Sequence, residues 1–187
     1  MDMASAMRIV GLAGWSGAGK TTLLRRLIPL LTAQGLRVST VKHAHHGFDV
    51  DQPGKDSWEH RQAGAHEVLV ASAARWALMH EHRGAPEPSL RYLLSRLSPA
   101  DLVLVEGFKR DAHPKIEVHR TAVGKPLLQP GDPAIRAVAS DAPLPGCPVP
   151  VLDLDDLPGI AAAVVAAAAP LAEAFAGQEG PHGATFG

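Results

Sequence analysis

The chain has 187 residues, 46 % of them apolar and 20 % charged, with a net charge of −1 and one cysteine. Such a length and composition suit one globular domain with a proper core. The balanced charge argues against a global pull toward nucleic acid or anionic membrane, and a single thiol excludes an internal disulfide.

Cysteine poverty suits a reducing cytoplasm, where the protein is expected to work. The opening MDMASAM carries an acid at position 2 and no apolar h-region, so it does not read as a signal peptide. Met7 to Ala13 (MRIVGLA) is a short apolar run ending in glycine, the pattern of a buried parallel strand. Lys20 to Gln34 reads as a helix: leucines 23, 24, 27, 30 and 31 recur at helical spacing, and Gly35 stops it. Pro29 inside it should kink the helix or shorten its last turns. Arg37 to Lys42 is the next strand, followed by a loop rich in histidine and acid from His43 to Lys55.

Asp56 to Gly64 suits a short helix capped by Asp56 or Ser57. Glu67 to Ala71 and Arg75 to His80 are β-type runs with no helix between them, which predicts a hairpin near 67–80. Ser89 to Leu97 is a short amphipathic helix. Asp101 to Val105 (DLVLV) is a strand leading into Glu106-Gly107. Lys115 to His119, Ile135 to Ala139 and Val149 to Leu152 are further strands. Asp155 or Asp156 is placed to cap a last, alanine-rich helix over Gly159 to Ala176, which has Pro170 and Glu173 within it and too few large apolar residues to enter a membrane. The whole is expected to be α/β: a mostly parallel sheet of the P-loop NTPase type with helices on both faces, forming one domain over residues 7–172. Residues 177–187 lack periodicity and read as a disordered tail.

Gly14-Trp15-Ser16-Gly17-Ala18-Gly19-Lys20-Thr21 satisfies GxxxxGK[ST] between a strand and a helix, with Thr22 directly after it. Glycines let consecutive backbone N–H groups turn inward around a phosphate, and the helix N-terminus adds its dipole. Lys20 is placed to reach the β- and γ-phosphates of a nucleoside triphosphate, and the Thr21 hydroxyl to ligate Mg²⁺. A second acid on the Mg²⁺ side belongs at the C-terminal end of a neighbouring strand. Of Asp101 and Glu106, about 16 Å apart along one strand, only Glu106 is at that end; Asp101 is a strand-start or cap residue. Asp49 and Asp51, in the loop after the second strand, are two more candidates for Mg²⁺ or its water shell.

His43, His45 and His46 form an HxHH cluster that suits an anionic ligand, a transition metal or no ligand at all. Lys109, Arg110 and Lys115 follow Glu106-Gly107 and suit a second anionic substrate or an acidic partner surface; Arg61 carries the same reading. Asp141 follows a strand directly. It is placed either to accept both N1–H and N2–H₂ of guanine, a donor pair that adenine lacks, or to cap a loop.

The stretches GLAGWSGAGKTTLLRRLIPLL, KHAHHGFDVDQPGKDSWEHRQAGA, DLVLVEGFKRDAHPKIEVHR and IRAVASD together resemble the MobB family, the molybdopterin-guanine dinucleotide biosynthesis adapter proteins. The resemblance implies a homodimer that binds GTP with Mg²⁺ and hydrolyses it weakly. It implies that the protein assists the guanylyltransferase that attaches GMP to molybdopterin, with molybdopterin or its guanine dinucleotide form as a further ligand. It also implies kinship with dethiobiotin synthetase, where a glutamate before glycine and an acid after the second strand serve Mg²⁺; here those roles fall on Glu106 and on Asp49 or Asp51. Trp15 stands where several dimeric relatives carry an additional lysine, which speaks against a lysine finger acting in trans. Two rival readings differ in kind. A nickel-delivering metallochaperone GTPase would need a dense His or Cys site. A small-metabolite P-loop kinase would need an acceptor pocket, a base and a lid.

Overall fold

The computed structural model describes residues 7–44 and 47–176. His45 and His46 of the histidine cluster and the tail over 177–187 therefore lie outside the described residues. In chain order the elements are β1 (Arg8–Ala13), α1 (Lys20–Ala33), β2 (Val38–Lys42), α2 (Asp56–Gln62), β3 (Glu67–Ala71), β4 (Trp76–His80) and α3 (Leu90–Ser95). There follow β5 (Leu102–Glu106), β6 (Lys115–His119), β7 (Ile135–Ser140), β8 (Val151–Asp153), α4 (Leu157–Ala167), β9 (Ala169–Pro170) and α5 (Leu171–Ala174). They fall into two compact units, one built from the described residues up to His43 and from Leu90 onward, the other from Ala44–Ser89.

The larger unit carries a sheet in the order β2-β5-β1-β6-β7-β8, every pair along it parallel. Side chains alternate between its faces, as the pleat dictates. Val10, Leu12, Leu102, Leu104, Ile116 and Val118 point to one face, against Leu23, Leu24, Leu27 and Leu31 of α1 and Ile160 and Val164 of α4. Ile9, Val103 and Val105 point to the other, against Leu90 and Leu94 of α3 and Phe175. Leu27 and Leu31 are fully buried, each contributing roughly 1.5–3 kcal/mol by leaving water. β1 and β5 are buried along nearly their whole length, which explains why they read as unbroken apolar runs.

One expectation is narrowed and two are overturned. α1 runs through Pro29 as far as Ala33, so the proline does not cut it short. α2 is preceded by Lys55 rather than capped by Asp56 or Ser57, and no side chain caps it; the Ser57 hydroxyl donates to Asp51 Oδ1 at 2.8 Å instead. The alanine-rich stretch is not one helix. Chain geometry turns extended at Ala168, and Ala169–Pro170 pairs antiparallel with Arg8–Ile9 before the short α5. Pro170 cannot continue a helix, and β6 begins only opposite Gly11, so β1 has an edge there for β9 to take. Arg8 donates to the carbonyls of Val165 (2.7 Å) and Ala168 (2.6 Å), closing the end of α4 from the sheet. Of the two proposed caps, Asp156 is the one used: its carboxylate accepts from Gly159 N at 3.0 Å.

The smaller unit is the expected hairpin, β3 and β4 antiparallel, together with α2. Val68 is its one buried residue among those described. Arg61 holds it together by donating to Asp49 (2.7 Å), Asp51 (3.3 Å) and Glu81 (2.9 Å). Among the described residues, no helix is long and apolar enough to cross a membrane.

Candidate phosphate-binding site

Because the six strands are parallel, their C-terminal residues Lys42, Glu106, Ala13, His119, Ser140 and Asp153 line one edge of the sheet. The glycine-rich loop leaves from the middle of that edge, between β1 and α1. Gly14 has φ 141°, and a Cβ there would sit 2.5 Å from the Val118 carbonyl oxygen. Gly17 and Gly19 have φ 81° and 94°, backbone shapes that L side chains rarely adopt. Ala18 is buried beneath the loop while Ser16 is exposed. No side chain caps α1 and no acid lies in its first turn, where Thr21 and Thr22 are exposed. The helix dipole is therefore left open to an anion.

The Lys20 ammonium folds back over the loop, donating to the carbonyls of Gly14 (2.9 Å) and Trp15 (3.0 Å). Burial lowers its pKa, and the positive charges of Lys109 and Lys42 add to that against the opposing effect of Glu106. Thr21 Oγ1 donates to Glu106 Oε1 at 2.8 Å, and Lys42 Nζ lies 3.8 Å from the second carboxylate oxygen. Glu106 is held by the β2–β5 ladder, which continues one step past the strands with His43 N donating to its carbonyl. The next residue must be glycine, since a Cβ on Gly107 (φ 97°) would meet His43 Cβ at 2.6 Å. Asp101 is at the far end of the same strand, accepting from the Arg37 amide and guanidinium; that pairing holds its carboxyl below the ordinary range.

Three further cations surround the loop. Lys109 and Lys125 place their ammonium groups 5.3 Å and 5.9 Å from the centre of the Trp15 ring. The Arg120 guanidinium lies against Gly19, where a Cβ would be 3.2 Å from its Nε. Lys42, Arg120 and Lys125 were not singled out from the sequence. Lys42 and Arg120 could have been found by noting which residue closes or follows each parallel strand. Asp141 is on the same edge, two strands away from β1, and caps the turn after β6: it accepts from Thr121 N at 2.9 Å and Thr121 Oγ1 at 3.3 Å. The Thr121 amide, helped by Arg120, lowers its pKa.

The remaining candidates separate. His43 packs edge-on against Phe108 at 5.0 Å. Asp49, Asp51 and Arg61 are brought together, but with one another in the smaller unit; the Arg61 contact is the main reason the Asp49 carboxyl is held low. Lys109 and Arg110 line an open depression of about 700 Å³ with Arg136 and the Gly131–Ala134 loop. Lys115 does not join them: it is buried on β6, donating to the Asp111 carbonyl and to Asp132. A buried strand position turns that lysine inward, away from an exposed basic cluster.

The sequence profile of the family described as Molybdopterin guanine dinucleotide synthesis protein B matches residues 9–141. A molybdopterin-guanine dinucleotide biosynthesis adapter protein of Escherichia coli (strain K12) is 49 % identical over 160 residues, 84 % of this chain and 91 % of that one. The protein of the same description from Haemophilus influenzae is 45 % identical over 162 residues, 85 % and 88 % of the two chains. A crystal structure of molybdopterin-guanine biosynthesis protein B superposes with a TM-score of 0.67 at 30 % identity, covering 84 % of this chain and 98 % of that chain. A MobB homologue from Bacillus stearothermophilus gives 0.62 at 27 % identity. The match spans the glycine-rich loop, Glu106, Lys109 and Asp141 alike, and the chain belongs to the MobB family.

Proposed function

We propose that this protein is a GTP- and Mg²⁺-binding adapter of molybdenum cofactor assembly. In this reading it assists the guanylyltransferase that forms molybdopterin guanine dinucleotide and is at most a weak GTPase. The observation that carries the nucleotide reading is the convergence of Lys20, Thr21 and Glu106 on a glycine loop at the mouth of an uncapped helix. The adapter role rests on the names of relatives that match nearly the whole of their own length.

Magnesium suits the pair of oxygens available. Octahedral Mg²⁺–oxygen distances of 2.0–2.1 Å put adjacent ligand atoms about 2.9 Å apart, and Thr21 Oγ1 and Glu106 Oε1 are 2.8 Å apart. When bound, the ion would neutralise charge on the β- and γ-phosphates. The chain's own groups would do the rest: the loop amides and α1 hold the phosphates, while Lys20 exchanges its two carbonyl contacts for phosphate oxygens. Asp141, on the β7 side of the loop, would accept from guanine through the carboxylate oxygen that Thr121 does not use. Arg120 has its guanidinium against Gly19 of the loop, and its charge also lowers the Asp141 pKa.

A homodimer belongs to the same reading. The smaller unit supports it by exposing Phe48, Val50, Leu69, Val70, Trp76 and Leu78, more apolar surface than an isolated hairpin needs. The depression beside Lys109, Arg110 and Arg136 suits the anionic molybdopterin or an acidic surface of the partner enzyme.

Calorimetric titration with GTP and with ATP, each with Mg²⁺, tests the nucleotide reading. GTP is expected to bind in the micromolar range and ATP at least about tenfold more weakly, a gap of about 1.4 kcal/mol, which Asp141→Ala should narrow. Equal or tighter ATP binding would overturn the guanine assignment and favour a small-metabolite kinase.

A further inference from the structure

Trp15 occupies the second position of the glycine-rich loop, and its contacts exceed what a loop residue needs. The indole N–H donates to the Pro126 carbonyl at 2.8 Å, tying the loop to the segment after β6. Lys125 of that segment and Lys109 of the segment after β5 both direct ammonium groups at the same ring, at 5.9 Å and 5.3 Å. The segment carrying Lys109 is set by two residues of positive φ, Gly107 at 97° and Phe108 at 49°. Left-handed backbone is uncommon for a phenylalanine and has to be held by its surroundings; His43 packs on that ring. Two ammonium groups on one ring, with the Lys20 amine bound to the carbonyl of the same tryptophan, repel one another. Such a cluster is satisfied by a compact ligand of high negative charge.

The Lys20 contacts show which part of a triphosphate that would be. Its amine, the group that meets the β- and γ-phosphates in loops of this type, lies over Gly14 and Trp15, so the terminal phosphate belongs at the Trp15 end. Lys109 is at that end. Glu106, three residues earlier on the same segment, bonds to Thr21.

Resting on the nucleotide reading above, we propose that Lys109, held on the face of Trp15, binds the γ-phosphate and makes the site discriminate nucleoside triphosphate from diphosphate. Trp15 is the positioning residue: it presents an ammonium from the protein's own chain to the terminal phosphate. The segment Glu106-Gly107-Phe108-Lys109 thus reports the presence of that phosphate at two points, through the Thr21–Glu106 pair and through the lysine. The Lys109 charge is also felt at the Lys20 amine, so the two cations face one region of the loop.

The test is titration of the full-length protein, Lys109→Ala, Lys109→Gln and Trp15→Ala with GTP and with GDP, Mg²⁺ present, after circular dichroism confirms folding. The lysine variants should lose about tenfold or more in GTP affinity and less than about twofold in GDP affinity, as for a charge-assisted contact made by one phosphate alone. Trp15→Ala should lose part of the same GTP preference. Adding it to Lys109→Ala should change the GTP-to-GDP ratio no further, because the two side chains act as one unit. An unchanged ratio in both lysine variants, whether the two affinities persist or fall together, would overturn the assignment of Lys109. Wild-type protein that binds neither nucleotide would instead overturn the underlying reading, and this proposal with it.

Discussion

His113 is fully buried, with neither ring nitrogen hydrogen-bonded among the described atoms. It packs so closely on β1 that a Cβ on Gly11 would lie 2.5 Å from its Nε2, which is why that strand position carries no side chain. Burial, then the charge of Lys115, pushes its pKa down to about 4 against an opposing pull from Asp132. Between pH 6.5 and about 4 the unfolded chain therefore takes up a proton that the folded chain refuses. The protein has its full stability on this account above pH 6.5 and loses up to about 3 kcal/mol as pH falls toward 4. Urea unfolding of wild type and His113→Leu at pH 7, 5.5 and 4.5 measures this. The difference in stability should move in favour of the variant as pH drops, and parallel curves would show that the histidine is protonated in the fold. Nothing in the sequence marked His113, because a histidine between loop and strand reads the same whether it is buried or solvated. Lys20 and Thr21 stood out for the opposite reason: the roles proposed for them depend on local spacing, which a sequence displays directly.

At the level of elements, periodicity located most strands and helices; the misses were at their ends and after Ala167, where β9 and α5 replace the continuous helix expected. α4 illustrates both. Its apolar, alanine-rich body was evident, but a proline and a competing strand slot on β1 end it at Ala167. Its start depends on Asp156, whose carboxylate accepts from Gly159 N while Pro158 takes a position where no amide donor is needed. Asp156→Ala should cost about 1 kcal/mol of global stability, read as a lower midpoint in chemical denaturation with unchanged slope. No change would mean that Asp155 or water takes over the cap. α2 shows how local signals mislead: Asp56 and Ser57 have cap chemistry, but the Ser57 hydroxyl has a tertiary partner in Asp51, and competition of that kind is invisible to a propensity argument.

On the scale of the molecule, the two units are built on different physics. The larger has its sheet buried on both faces. The smaller has a single buried residue among those described and is knit by the Arg61 carboxylates, while Phe48 and Trp76 stay 77 % and 63 % exposed. Surface of that kind is costly in water unless something covers it, which is the physical case for the proposed homodimer. Light scattering should give twice the chain mass for wild type, and Trp76→Asp should halve it, since a charge is expensive in an apolar interface. A wild-type monomer at micromolar concentration would refute that part of the reading.

The sequence by itself determined the glycine-rich loop between β1 and α1, the α/β alternation, the hairpin and the placing of Glu106 at the loop's end of its strand. Each follows from spacing within some twenty residues: glycines before a lysine, apolar positions at period two or near four, an acid at the close of an apolar run. Only the tertiary structure decided which cations surround the loop. Lys42, Lys109, Arg120 and Lys125 come from three segments other than the one that carries Trp15, and they meet it because parallel strands all end at one edge of the sheet. Strand order and register set that meeting, and both arise from long-range packing rather than from any local pattern.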